Sequence, residues 1–368
     1  MQPAALTQPC GQACWPLKFS PAHTALTPFD RAKKQHRKSS SRKSSDMITN
    51  ARQPHQLTRL RPAMRVFLGL LASSLWFAPQ AEGAIRIVAS VPDLAAIAQE
   101  IGGAAVQVRT LSASSQDPHF VDAKPSLALE LNRAQLLLYV GLDLEIGWLP
   151  TLLVGARNPG IQAGAQGNLD CSQFVAKLDV PNQPVDRSHG DIHPGGNPHY
   201  LYDPRAGGAV ARGIAERLTL LDPGNAAAYQ SNLAAFMKHL DHGRARWEKR
   251  LAPLRGMPII AYHRTWTYLA NWLGFEQVGF LEPKPGIPPS PRHVAGLLAL
   301  GRNRKVRLLL QEDHYPDATS RLVASRIPAT LVRVPAATNV QASQTYVQHL
   351  EAMFEAIARG LGALEGPR

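Results

Sequence analysis

The sequence predicts an α/β protein: two parallel-sheet lobes joined by one long rigid helix, with a ligand site in the cleft between them. Three observations carry this. Short apolar runs rich in β-branched residues alternate with helical periodicity from Ile85 onward, the rhythm of βα units. The apolar runs are continuous rather than alternating, as in strands covered on both faces. The rhythm breaks once, at a helical stretch from Asp222-Pro223-Gly224-Asn225 to about Leu254. Its apolar positions Leu233, Phe236, Met237, Leu240, Trp247, Leu251 and Leu254 recur at mostly helical spacings. At about 1.5 Å per residue it extends more than about 40 Å, enough to cross between lobes as a stiff connector rather than a hinge.

In chain order, Ile85–Val91 reads as a strand, Leu94–Ile101 as a helix closed by Gly102-Gly103, and Val106–Leu111 as a second strand. Pro125–Ala134 is helical, Gln135–Gly141 a strand and Ile146–Ala156 a helix. Gly, Asn, Pro and Asp dominate residues 158–200, which read as loop. After the connector the alternation resumes. Met257–Tyr262, Phe275–Leu281, Val306–Gln311 and Ala329–Val334 are strands; Thr265–Leu273, Ser290–Arg302, Asp317–Arg326 and Tyr346–Leu361 are helices. The expected division is an N-terminal lobe over 85–221, the linking helix over 222–255 and a C-terminal lobe over 256–368. No tandem repeat of 20 to 50 residues suggests a solenoid.

The chain has 368 residues and a net charge of +13, which suggests a nucleic-acid partner until the charge is located. Residues 1–84 hold 12 Lys/Arg against 3 Asp/Glu, a net of +9, and the remainder carries 28 against 24, or +4. The basic character therefore belongs mainly to the leader, and no nucleic-acid partner is expected. Residues 1–63 are largely polar and lack apolar periodicity, the composition of a segment that cannot bury a core. Met64-Arg65, the apolar run Val66–Phe77 and the small residues Ala81-Glu82-Gly83-Ala84 have the plan of a secretory signal peptide over 64–84. Translation is expected to start at Met64 or Met47. Cys10 and Cys14 fall in the leader, leaving Cys171 alone in the mature chain without a disulfide partner. No cysteine closes the apolar run, so the expectation is a periplasmic protein without a lipid anchor.

Three histidines stand in short motifs spread over about 145 residues: Asp117-Pro118-His119, Asn197-Pro198-His199-Tyr200 and Tyr262-His263. Each lies at a loop or strand end, where ligand sites of open α/β sheets gather. A single histidine is more often an ordinary hydrogen-bonded side chain. Three in such positions read as a metal site assembled by folding, because neutral imidazole is the commonest zinc ligand. Asp117 and Asp203 are expected to accept the outward ring N–H of a ligand and fix its tautomer. Three imidazoles leave one coordination position for water, a carboxylate or nothing at all.

These motifs carry a resemblance. Asp-Pro-His followed by Pro125-Ser126, Asn-Pro-His-Tyr with Asp203-Pro204, Tyr-His with Trp266 and Tyr268, and Glu282-Pro283 running into Pro285-Gly286-Ile287-Pro288-Pro289-Ser290 occur in order. They resemble the periplasmic zinc/manganese-binding components of metal ABC transporters, over residues 85–362. The resemblance implies two (β/α) lobes bridged by a backbone helix, one metal ion in the cleft, and delivery of that ion by a monomer to a membrane permease driven by a cytoplasmic ATPase. His119 and His199 would come from the first lobe and His263 from the second. Manganese-type members place a carboxylate where His263 stands and another late in the second lobe, near Pro335-Ala336-Ala337 here, which offers no ligand; the fourth position then falls to water or a small anion, with Glu312 or Asp313 as the protein alternatives. Imidazole in place of oxygen moves the preference from Mn2+ toward Zn2+. His189, Asp191 and His193 resemble a shortened form of the His/Asp-rich loop of many zinc members, implying accessory zinc capture beside the cleft.

Two other readings stay open: a manganese-binding homologue of the same system, and a secreted zinc-dependent hydrolase. A catalytic zinc needs a general base near its bound water. The chain has no His-Glu-x-x-His helix, no Gly-x-Ser-x-Gly elbow and no phosphate-cradling Gly-x-x-x-x-Gly-Lys loop. Glu312 is the one carboxylate to nominate as base, so the expected reading is a carrier rather than an enzyme. Zinc affinity is expected to fall below about pH 6.5, the unperturbed histidine value.

Overall fold

Two four-stranded parallel sheets repeat one strand order. The protein is described here from a computed structural model covering residues 83–183, 193–284 and 286–365. The chain divides into two units, Met1–Ala78 and Pro79–Arg368, and every described residue belongs to the second. The leader, nearly all of the signal-peptide segment, His189 and Asp191 lie outside the described residues.

The first sheet holds β1 (Ile85–Ala89), β2 (Val106–Thr110), β3 (Leu136–Tyr139) and β4 (Asn168–Asp170) in the order β2-β1-β3-β4. The second holds β5 (Pro258–Ala261), β6 (Glu276–Phe280), β7 (Leu308–Glu312) and β8 (Thr330–Val334) in the order β6-β5-β7-β8. All six pairings are parallel. The central strands are apolar along their length because both faces are covered: Leu136, Leu137 and Leu138 are buried, as are Leu308, Leu309 and Leu310. The chain leaves the first sheet's centre in opposite directions after β1 and β3, and the second's after β5 and β7. Those crevices, at the carboxyl ends of the strands, are the topological switch points where ligands of such sheets bind.

Helices α1 (Pro92–Gly102), α2 (Pro125–Arg133) and α3 (Leu149–Ala156) serve the first sheet; α6 (Thr267–Leu273), α7 (Pro291–Asn303), α8 (Ala318–Arg326) and α9 (Tyr346–Glu365) serve the second. α1 starts with Pro92, whose missing N–H needs no partner at a first turn, and ends at Gly103 with φ 55°. Between the lobes run α4 (Pro204–Leu221) and the connector α5 (Ala226–Arg250). α5 spans 25 residues and is flanked by short 3-10 turns at Pro223–Asn225 and Ala252–Leu254, so the continuous helix expected from Asp222 is shorter at both ends. Near one end, Asn232 Nδ2 donates to the Ile101 carbonyl of the first lobe (2.9 Å). Near the other, Trp247 Nε1 donates to Glu351 on α9 (2.9 Å).

One apolar core runs through both lobes and collects Ile87, Leu136, Val210, Phe236, Trp247, Leu310 and Phe354. The far face of each sheet has a smaller core, around Leu131, Leu137 and Trp148 in the first lobe and around Leu297, Leu309 and Val323 in the second. Two elements escaped the sequence reading. β4 is a three-residue strand inside the Gly/Asn-rich stretch, and α4, to which the sequence reading assigned no element, runs 18 residues. Its glycines mark close packing. A Cβ on Gly207 would lie 2.3 Å from the Tyr346 hydroxyl, and one on Gly213 would lie 2.2 Å from the Phe174 ring.

Candidate metal centre

His119 lies in the loop between β2 and α2. Its Asx-Pro-His sequence folds as the side chain requires: Asp117 Oδ1 accepts the His119 backbone N–H at 2.9 Å, closing a local turn. The same oxygen accepts the ring Nδ1–H at 2.7 Å, and Trp148 Nε1 donates to the Pro118 carbonyl at 2.9 Å. His199 repeats the device, with Asn197 Oδ1 accepting its N–H at 2.9 Å. Asn197 Nδ2 reaches the other lobe, donating to the Arg264 carbonyl (2.8 Å) beside His263. His263 follows β5 at the second switch point, and its Nδ1–H is accepted by Glu282, just after β6, at 2.8 Å.

The three rings meet. Each offers a nitrogen, and the three nitrogens lie within 4.8 Å of one another. His199 Nε2 is 3.2 Å from His263 Nε2, and the His119 ring centroid is 5.2 Å from each of the other two. A fourth ring joins them. His193, expected in an accessory loop, places Nε2 3.3 Å from His119 Nε2. Zinc holding four nitrogens at about 2.0–2.1 Å sets any two of them roughly 3.3–3.4 Å apart. The two Nε2 pairs match that separation.

Tautomers follow from the outer partners. His119 and His263 give their Nδ1 protons to Asp117 and Glu282, so both Nε2 atoms carry lone pairs that a divalent cation can take. Three of the rings are held toward the neutral form that a metal needs. Burial, then the neighbouring rings, pushes His193 down to about 3 and His199 well below the ordinary value. Burial lowers His263 by more than Glu282 raises it. Asp117 ends well below the usual carboxylate range: burial works against ionisation, but the hydrogen bonds and charge of His119 outweigh it.

Other expectations divide. Asp203 holds no histidine: its carboxylate caps α4 at the Arg205 N–H (2.8 Å) and pairs with the Arg205 guanidinium. Glu312 is buried at the end of β7, outside the group of converging ligand atoms, and burial pushes its carboxyl up to about 8. Cys171 is a buried free thiol. Glu282 stands in a motif that assigns it no role, and the sequence places His193 in an accessory loop. Both act across space from residues distant in sequence, where spacing gives no signal. Behind His199 a cavity of about 50 Å³ is lined by Asp93, Gln116, Tyr202 and His314. That is room for a few waters.

Two α/β lobes on a stiff helix, with imidazoles from both converging in the cleft, define a carrier of metal ions. Residues 87–360 match the model of the family described as zinc-uptake complex component A, periplasmic, and the chain belongs to that family. It is 24% identical over 343 residues to the high-affinity zinc uptake system protein ZnuA of Paracoccus denitrificans, covering 83% of this chain and 99% of that one. It is also 24% identical over 309 residues to the manganese ABC transporter substrate-binding lipoprotein PsaA of Streptococcus pneumoniae, covering 80% and 95%. A crystal structure of ZnuA superposes with a TM-score of 0.63 at 25% identity, covering 75% of this chain and 99% of that one. The family consists of transporter binding components rather than enzymes. No helix among the described residues is long and apolar enough to cross a membrane.

Proposed function

We propose that this protein captures Zn2+ in the periplasm, without a lipid anchor, and delivers it as a monomer to an ABC permease powered by a cytoplasmic ATPase. His119, His199 and His263 are the ligands, with Asp117 and Glu282 orienting the first and third, and His193 stands beside His119 as a fourth nitrogen. The observation that supports this most is the pair of Nε2 contacts at 3.3 and 3.2 Å, the edge length of a zinc–nitrogen tetrahedron. Nitrogen donors without a carboxylate in the converging group favour zinc over manganese, which suits oxygen ligands better. Glu312 lies outside that group and is not placed to serve as the base of a hydrolase. The test is metal content and competitive titration of the mature chain with zinc and manganese against a chelator. One tight zinc per chain, weaker manganese, and loss of both stoichiometry and affinity in His119→Ala support the reading. Preferred manganese, or no tight metal, overturns it.

A further inference from the structure

The two Asx-Pro-His turns share one contact but begin with different residues. In both, Oδ1 accepts the backbone N–H of the histidine two residues on, at 2.9 Å. A carboxylate and an amide serve that contact alike. The first turn uses the acid, because Asp117 also accepts the His119 ring Nδ1–H. The second uses the amide for its donors: Asn197 Nδ2 donates to the Arg264 carbonyl at 2.8 Å and to the Thr267 hydroxyl oxygen at 3.2 Å. An aspartate there would set a carboxylate oxygen against the Arg264 carbonyl. The same contacts fix which end of the amide is nitrogen.

Asn197 is 5% exposed and lies in a polar seam between the lobes. Its backbone N–H goes to the Leu178 carbonyl at 2.8 Å, and Gly196 permits the approach, since a Cβ there would lie 2.9 Å from that oxygen. The Thr267 hydroxyl, accepting from Asn197, donates to Asp179 Oδ2 at 2.6 Å. Donation therefore runs one way, from amide through hydroxyl to carboxylate. The Tyr268 hydroxyl accepts the Leu178 N–H at 3.2 Å. Residues 178, 179 and 197 belong to the first lobe; 264, 267 and 268 belong to the second. The seam closes beside His199 and His263, whose Nε2 atoms lie 3.2 Å apart. None of its bonds uses a ring nitrogen, so it forms without the ion.

We propose that Asn197 is a positioning residue that sets the span of the metal centre across the lobes. Its oxygen fixes the turn of His199 and its nitrogen fixes the backbone beside His263, so the two imidazoles stand at bonding separation before zinc arrives. Ligands ordered in advance bind without the cost of being ordered by the ion. This rests on the zinc-capture reading above.

The experiment compares wild type, Asn197→Ser and Thr267→Val as the mature protein. Serine keeps an oxygen for the turn but is too short to reach Arg264, and it adds no charge. Zinc affinity is read by chelator competition, ligand geometry by the visible spectrum of bound Co2+, and the seam by hydrogen–deuterium exchange of the zinc-free protein. Asn197→Ser is expected to weaken zinc by about 10- to 100-fold, as loss of a support behind the ligands does, and to alter the Co2+ spectrum. Without zinc it is expected to speed exchange in residues 194–203 and 262–270 together. Residues 112–123 should not change, because Trp148 ties the His119 loop within its own lobe. Thr267→Val removes one acceptor of the amide and is expected to act in the same direction with a smaller loss. Faster exchange confined to 194–203 assigns Asn197 to its own turn alone and overturns the proposal, as does unchanged zinc affinity. Should Asn197→Ser not fold, Thr267→Val carries the test, and unchanged affinity with unchanged exchange in 194–203 overturns it equally. A wild-type protein that holds no tight zinc removes the functional reading itself, while the exchange result still decides the seam. Tight wild-type binding with variants that bind equally well removes only Asn197.

Discussion

The imidazoles at this centre are fixed from their far sides, and that is where single changes should be felt. Glu282→Gln keeps a hydrogen-bonding oxygen for His263 but removes the charge, and is expected to lower zinc affinity by about 10- to 100-fold while leaving stability within about 1 kcal/mol; chelator competition and thermal melts check both halves. Asp203→Asn is expected to leave affinity unchanged, since that carboxylate caps α4 and no ring touches it. The structure also revises the pH dependence. Zinc needs neutral rings, and His193, His199 and His263 are already held below the ordinary value. Affinity should therefore hold as pH falls through 6.5 and fail only further into acid; a titration losing the full proton competition of unperturbed histidines near 6.5 would contradict this. His119 and His199 were legible in the sequence because Asx-Pro-His encodes its own turn: Asp117 and Asn197 each accept the N–H of the histidine two residues on. Glu282 and His193 were not, because their partners His263 and His119 lie 19 and 74 residues away and are brought to them only by the fold of each lobe.

At the level of elements, strands were legible and close-packed helices were not. β1, β3, β5 and β7 are apolar runs with few other readings, and each lies within a residue or a few of its expected place. α4 was hidden by Gly207, Gly208 and Gly213, poor helix formers that allow Tyr346, Met237 and Phe174 to approach. Gly213→Ala, which drives a methyl into the Phe174 ring, is expected to destabilise by about 1–3 kcal/mol, even though alanine is the better helix former. Urea unfolding measures this, and a stabilised variant would show that propensity outweighs packing there. α3 begins later than its periodicity suggested, at Leu149, because Glu145 and Trp148 are used in the preceding turn: the Glu145 carbonyl accepts the Trp148 N–H at 3.1 Å.

Across the whole molecule the lobes meet at a buried polar seam. Asp93, at the start of α1, accepts the Thr338 N–H at 3.0 Å and the Thr338 hydroxyl from the other lobe. His349 of α9 lies 3.8 Å away, with its other ring nitrogen unpartnered. Asp93→Ala strands these buried donors and is expected to cost about 2 to 4 kcal/mol of stability, read by urea unfolding. Linkage sets the pH profile of the metal-free protein. Burial lowers His193, His199, His263, His314 and His349, so the unfolded chain takes up more protons below about 6.5 and stability falls there. Glu100 and Glu145, pushed up to about 7, and Glu312, to about 8, act oppositely. Their contribution is full below about 4.5 and lost as pH rises through 7 to 8, so melting temperature is expected to peak near pH 6.5. A melting temperature that rises steadily to pH 8 would contradict this. The convergence of rings from both lobes has one more effect. Any opening that separates the lobes must first break bonds to the ion, so the cargo is also a removable cross-link. With free zinc a hundredfold above its dissociation constant, such opening becomes rarer by a factor of about 100, or about 2.7 kcal/mol. A protease that cuts only the opened chain will then destroy carriers without cargo first, and the lifetime of each copy becomes a record of how much zinc surrounds it.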